Sequence, residues 1–222
     1  MPIFKKVNKK FFKKWTPEMA YVLGFFTADG TITVNARGFQ YFVVQIRDRE
    51  LLMRIRTAIG SDHKISKRIH KKNGGIFYRI QIGNTEICND LRRMGFGERK
   101  TERLKMPYIP SRYFPHFVRG YFDGDGNVWA GLIHKDRSKH THVINTTFTS
   151  CAKEFLESLH AGLKERGIRG GSIYKRKSNA HCLRLSVKDS ILLYHLIYDT
   201  LQNKMFLKRK KDSFDRFLRK RK

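Results

Sequence analysis

The stretch Tyr21-Val-Leu-Gly-Phe-Phe-Thr-Ala-Asp-Gly30 is met a second time, 96 residues on, as Phe117-Val-Arg-Gly-Tyr-Phe-Asp-Gly-Asp-Gly126. Both copies read aromatic-Val-x-Gly-aromatic-Phe-x-small-Asp-Gly. A repeat of this kind means one structural unit used twice, so the surroundings of each copy should correspond. They do. Two strand patterns follow each copy, at 31–35 and 39–47 in the first half and at 127–133 and 143–149 in the second. Helices follow at 48–59 and 153–166, stopped by Gly60 and Gly167. Two more strands come next, at 63–70 and 76–82 and at 171–177 and 181–187, before closing helices at 85–94 and 190–201. The predicted fold is α+β: two pseudo-symmetric αββαββα halves, each with an antiparallel β-saddle. Pro107, Pro110 and Pro115 break helical continuity between them. The chain divides on this reading into a basic N-terminal arm (1–15), an N-terminal half (16–98), a linker (99–111) and a C-terminal half (112–222) ending in a basic helix.

Each repeated segment suits a helix. Thr16 can cap the first and Pro17 can open it. Gly24 and Ala28 are four apart on one face, as are Gly120 and Gly124. Glycine inside a helix costs ~1 kcal/mol, so it wants a packing reason. The two copies are therefore expected to pack against each other. That brings Asp29 and Asp125 together at C-terminal helix ends, where the dipole is already negative. Divalent cations relieve the repulsion. Carboxylates, the free carbonyls of Ala28 and Gly124, and water are the hard oxygen donors that Mg²⁺ prefers. Gly30 and Gly126 are expected to supply the turn into the next strand. A lone Ala-Asp-Gly at a helix end reads as a solvated turn; two copies in matching surroundings point to a site.

Composition names the partner class. The 222 residues are 40% hydrophobic, with 17 Phe and 9 Tyr, which is a folding composition and not that of a basic tail. Lys and Arg number 47 against 19 Asp and Glu, a net charge of +28. Such a charge calls for a polyanion, and nucleic acid repays it through counterion release. Cys88, Cys151 and Cys182 lack Cys-x-x-Cys spacing, which fits a reducing intracellular setting without zinc knuckles. No apolar run is long enough to span a bilayer, so a membrane is not expected among the partners. The basic segment 2–15 has no continuous apolar core and reads as a DNA-contacting arm. His134, His140 and His142 lack a fourth ligand and read as a DNA-edge loop.

The segments Val22-Leu-Gly-Phe-Phe-Thr-Ala-Asp-Gly30 and Val118-Arg-Gly-Tyr-Phe-Asp-Gly-Asp-Gly126 resemble the two LAGLIDADG motifs of single-chain, monomeric homing endonucleases. The resemblance runs from about Thr16 to about Phe217; the first copy departs from it at Thr27, where the motif has an acid. It implies that Asp29 and Asp125 bind metal with the carbonyls of Ala28 and Gly124. It implies two-metal hydrolysis of both strands of a long asymmetric DNA target, leaving short 3′ overhangs. Mg²⁺ is the implied cofactor, with Mn²⁺ substituting and Ca²⁺ binding without cleavage. Aligning Arg79-Ile-Gln-Ile82 with Arg184-Leu-Ser-Val187 puts Lys188 at the family's basic position and Gly83 at its counterpart. Gln45 is the candidate water-positioning group in the first half, with Ser150 as the nearest polar residue in the second.

The strands are then expected to lie in the major groove of double-stranded DNA. Alternation sends Ile32, Val34, Phe42, Val44, Ile80 and Ile82 to the core. The opposite face carries Thr31, Thr33, Asn35, Tyr41, Gln45, Arg47, Arg79 and Gln81, joined by Lys64, Ser66, Arg68 and His70. In the second half it carries Asn127, Trp129, Asn145, Thr147, Thr149, Arg184 and Ser186, with Tyr174 and Arg176. Two other functions compete: an RNA maturase or non-cutting DNA-binding regulator of the same family, and a basic RNA-associated structural protein. Both motif acids are present, which favours cutting.

Overall fold

The computed structural model describes residues 5–70, 74–97, 104–134, 141–199, 201 and 205–221. His140, residues 1–4 of the expected arm and residues 99–103 of the expected linker lie outside them. The first half runs α1 (Pro17–Asp29), β1 (Gly30–Val34), β2 (Gln40–Ile46), α2 (Arg49–Ala58), β3 (Ile65–Ile69), β4 (Ile76–Gly83) and α3 (Thr85–Arg93). The second runs α4 (Phe114–Asp125), β5 (Gly126–Ile133), β6 (Thr141–Ser150), α5 (Lys153–Lys164), β7 (Ser172–Lys175), β8 (His181–Leu185) and α6 (Val187–Tyr198), followed by α7 (Lys208–Arg219). The αββαββα order is thus present twice. Each half holds a four-stranded antiparallel sheet, ordered β1-β2-β4-β3 or β5-β6-β8-β7.

Local chemistry sets the boundaries. The Thr16 hydroxyl accepts the Met19 N–H at 3.1 Å and Pro17 opens α1. Asp48 and Asn84 cap α2 and α3 in the same manner, accepting from Leu51 at 2.8 Å and Ile87 at 2.9 Å. Gly60 and Gly167, at φ 62° and 85°, end the second helix of each half in the left-handed region that favours glycine.

The chain forms two compact units: residues 1–100 with 107–124 and 202–205, and residues 101–106 with 125–201 and 206–222. The motif helix of the second half therefore belongs, up to Gly124, to the first unit. The reason is the crossing of α1 and α4. A Cβ on Gly24 would stand 2.0 Å from the Phe117 carbonyl oxygen, and one on Gly120 would stand 2.0 Å from that of Tyr21. The two backbones touch where neither has a side chain.

In the first unit Ile32, Phe42, Val44, Ile80 and Ile82 form the buried face of the sheet beneath α1, α2 and α3. Phe26 stacks on Phe42 at 5.0 Å between ring centroids. Val34 does not join them: it is 44% exposed, because β1 ends there on its last rung with Gln40. The expected basic arm is also no free arm from Lys6 onward. Its backbone bonds to Asp62 and Ile59, and Phe11 and Phe12 are buried, which leaves Lys9 and Lys13 at the surface beside Glu86.

In the second unit Ile144, Phe148, Leu183 and Leu185 line the covered face, under α5 and α6. The basic terminal helix α7 buries Phe214 and Phe217 and packs on β5 and β6. Strand β8 stops at Leu185, two residues short of expectation, since Ser186 takes the N-cap position of an α6 that starts at Val187.

Candidate active site and nucleic-acid interface

Asp29 is the last residue of α1 and Asp125 the last of α4, and in each case the next residue opens a strand. Asp29 is exposed and Asp125 half-buried. The position two before each acid is buried and structural. Thr27 turns its hydroxyl onto the Leu23 carbonyl at 2.7 Å, whereas Asp123 accepts the Tyr21 hydroxyl at 2.7 Å. This accounts for the first copy's tolerance of threonine there. Gly30, expected to supply the turn into the strand, has an extended backbone, φ −85° and ψ 158°, and opens β1 directly. Glycine is needed for room: a Cβ would lie 2.0 Å from the Phe26 ring.

The close approach of α1 and α4 continues to their ends. A Cβ on Gly124 would fall 2.3 Å from that of Ala28 and 3.2 Å from the Asp29 carboxylate. The Asp29 carboxylate thus lies over a bare stretch of α4 backbone, in a space that a side chain would fill. Among the described residues no three His, Cys, Asp or Glu side chains gather. The donors on offer are few hard oxygens, which suit a divalent cation that keeps several waters or takes phosphate oxygens, as Mg²⁺ does.

Sheet pairing revises the alignment of the halves. Gly30 pairs with Val44 and Val44 with Ile80; Gly126 pairs with Phe148 and Phe148 with Leu183. Leu183, not Leu185, is therefore the counterpart of Ile80. Ser186 corresponds to Gly83, and Lys188 corresponds to Thr85 rather than to a strand end. Lys188 stands exposed on the first turn of α6. Gln45 is exposed on β2 opposite Arg79, and its counterpart is Thr149. Ser150 is buried and accepts the Ala152 N–H at 3.1 Å.

On the uncovered face of the first sheet the register places Thr31, Thr33, Tyr41, Gln45, Ser66, Arg68, Arg79 and Gln81. Asn35, Arg47, Lys64 and His70 flank the strand ends, all exposed. Asn35 bonds to the Tyr41 hydroxyl at 3.2 Å, which ties the β1–β2 turn to the strand. On the second sheet Asn127, Trp129, Asn145, Thr147, Thr149, Tyr174 and Arg184 share the uncovered face. Arg176 lies just past β7, exposed. Ser186, expected on this face, has left the strand and reaches Asp189 at 3.4 Å. His134 is exposed, while His142 packs on the Phe217 ring with 4.8 Å between ring centroids.

Three buried charged or titratable groups escape pattern reading, since Lys, Arg and His look like surface residues in a sequence. Arg119 has no solvent exposure, donates Nε–H to the Met205 carbonyl at 2.9 Å and sits 5.4 Å from the Tyr21 ring centre. His116 stands 3.1 Å from the Arg119 guanidinium; burial, then the Arg119 charge, push its pKa down to about 4. Lys210 is 3% exposed and brings its ammonium from α7 onto the carbonyl of Gly126, directly after Asp125. A cation there counters the negative end of α4.

Residues 16–94 match the family model of a LAGLIDADG-like domain. The replication factor C small subunit of Methanocaldococcus jannaschii is 24% identical over 191 residues, which are 85% of this chain and 9% of that protein. The chain thus spans under a tenth of that relative. The solved structure of the homing endonuclease I-WcaI bound to its DNA recognition sequence matches with a TM-score of 0.61 at 18% identity, over 92% of this chain and 90% of that one. I-SmaMI bound to uncleaved DNA target in the presence of calcium ions matches with a TM-score of 0.63 at 14% identity, over 93% and 90%. At such identities the likeness establishes the fold.

Proposed function

We propose that this chain, which has the fold of the single-chain homing endonucleases, is a two-motif LAGLIDADG protein and a site-specific endonuclease of double-stranded DNA. One observation carries the reading. Each motif acid ends a helix and is followed directly by a strand whose uncovered face is polar, so the hydrolytic group and the DNA-reading face are joined by a single residue in both halves.

The ligands the chain offers a divalent cation are Asp29 with the Ala28 carbonyl, and Asp125 with the Gly124 carbonyl. A divalent cation such as Mg²⁺, held there by these residues, would supply an activated water and charge neutralisation at the leaving oxygen. The chain's own tasks are positional. The glycine contact of α1 with α4 fixes where Asp29 stands, and Lys210 holds the backbone that follows Asp125. Arg, Asn, Gln and Thr on the two sheets face base edges, and the surplus of lysine meets phosphate. Cutting of both strands to short 3′ overhangs, with the chain acting as a monomer, completes the proposal.

The test is strand cutting by the full chain on its target duplex. Wild type with Mg²⁺ should make a double-strand break, and with Ca²⁺ it should bind without cutting. Asp29→Asn and Asp125→Asn should keep binding, while double-strand cutting falls by at least about a hundredfold, the range lost when charge stabilisation is removed. A tightly bound duplex that wild type leaves intact in Mg²⁺ would sink the nuclease reading in favour of a binding protein.

A further inference from the structure

The second sheet is built with a gap that the first lacks. In the first, β4 pairs with β2 as far as Tyr41↔Gly83. In the second, β8 pairs with β6 only from Thr146↔Leu185 onward, while the β5–β6 ribbon continues to Ile133↔Thr141. An early helix start at Val187 has taken the chain that would have paired with Asn145. An open groove of about 820 Å³ results, lined by Trp129, Ile133, Val143, Asn145 and Arg184 among others.

Its chemistry is selective. Arg184 is exposed and donates Nη2–H to the Asn145 carbonyl oxygen at 3.1 Å. The other amide orientation would set N–H against the guanidinium, so Arg184 itself fixes the way Asn145 points. Adenine recognition by asparagine needs that carbonyl oxygen as well as the amide N–H₂. With the oxygen turned towards Arg184, the pair presents N–H donors outward. Of the four bases, guanine alone offers two acceptors side by side in the major groove; adenine N6 and cytosine N4 would meet donor with donor. Beside the pair the wall turns apolar. Trp129 lies over Gly131, where a Cβ would stand 2.7 Å from the indole, and Ile133 and Val143 share the same face of the ribbon. Trp129 keeps 46% of its surface exposed, an indole left uncovered at the groove.

We infer that this groove reads a G·C pair next to a T·A pair, with Arg184 on the guanine edge and the Trp129–Ile133–Val143 wall against the thymine methyl. The inference rests on the sheets reading DNA in the major groove. Duplexes are selected from a random pool by the full-length protein in Ca²⁺, and by its Arg184→Lys and Trp129→Ala variants; both positions are exposed, so the fold is not at stake. Wild-type selections should hold G beside T at one position. Arg184→Lys, which cannot make the bidentate contact, should lose that G and bind the wild-type duplex on the order of ten- to a hundredfold more weakly. Replacing the adjoining thymine by deoxyuridine, which lacks the methyl, should weaken wild-type binding several-fold yet leave Trp129→Ala nearly indifferent. Selection of adenine or cytosine at the position that Arg184→Lys relaxes, or equal binding of thymine and deoxyuridine, overturns the inference alone. Failure of the wild type to enrich any duplex overturns the DNA reading beneath it as well.

Discussion

Arg119 and His116 show how a single residue can carry a whole-protein property. A guanidinium with no solvent exposure is costly unless its N–H groups are met, and Met205, His116 and the Tyr21 ring surround it. Because Arg119 can only donate, His116 accepts at Nδ1 and is held neutral with its proton on Nε2. The unfolded chain takes up a histidine proton near 6.5, but the folded one does so only near about 4. The unfolded state therefore binds more protons in between, and stability is lost as pH falls from about 6.5 towards 4. His63, lowered mainly by burial, acts in the same direction. We expect urea unfolding of the wild type to show a loss of roughly 2–3 kcal/mol between pH 7 and pH 4.5 on account of His116. His116→Gln should lose most of this pH dependence. A full acid loss retained in the glutamine variant would contradict the assignment.

Among the elements, α1 and α4 are the pair on which the candidate site depends. Their contact is backbone to backbone at Gly24 and Gly120, so an added methyl has nowhere to go without parting the helices. Gly24→Ala and Gly120→Ala should each lower stability by about 1–3 kcal/mol through overpacking, despite the ~1 kcal/mol that alanine gains in helix propensity. Gly97→Ala, where nothing lies within 4 Å, should stay within about 0.5 kcal/mol of wild type. Urea midpoints check all three, and a neutral Gly120→Ala would show that the crossing is looser than described. The existence of this crossing was legible in the spacing of Gly24 with Ala28 and Gly120 with Gly124. The buried tie beside it, Tyr21 to Asp123, was not, because an aspartate two residues before a metal-binding acid reads as polar surface until its partner is seen.

For the whole molecule the governing quantity is a net charge of +28. If six to ten phosphates are neutralised, affinity for duplex DNA should fall by roughly 10³–10⁵ between 50 and 200 mM salt, as measured by fluorescence anisotropy. A nearly flat salt response would remove phosphate binding from the account. The sequence by itself determined the element order, the inward and outward alternation of the strands, and the place of both motif acids at helix ends. All of these follow from caps, periodicity and spacing, which act between near neighbours in the chain. Tertiary structure alone decided that α4 packs with α1 in the first unit and that Phe11 and Phe12 pin the basic arm to it. It also decided that β8 yields to α6 at Ser186, which moves Lys188 from a strand end onto a helix and opens the groove beside Trp129. Those outcomes depend on which distant surfaces compete to bury the same residues. Asp29 and Asp125 could thus be located from the chain alone, whereas what surrounds them, from the bare backbone at Gly124 to the ammonium of Lys210, is set by packing between segments as many as 96 residues apart.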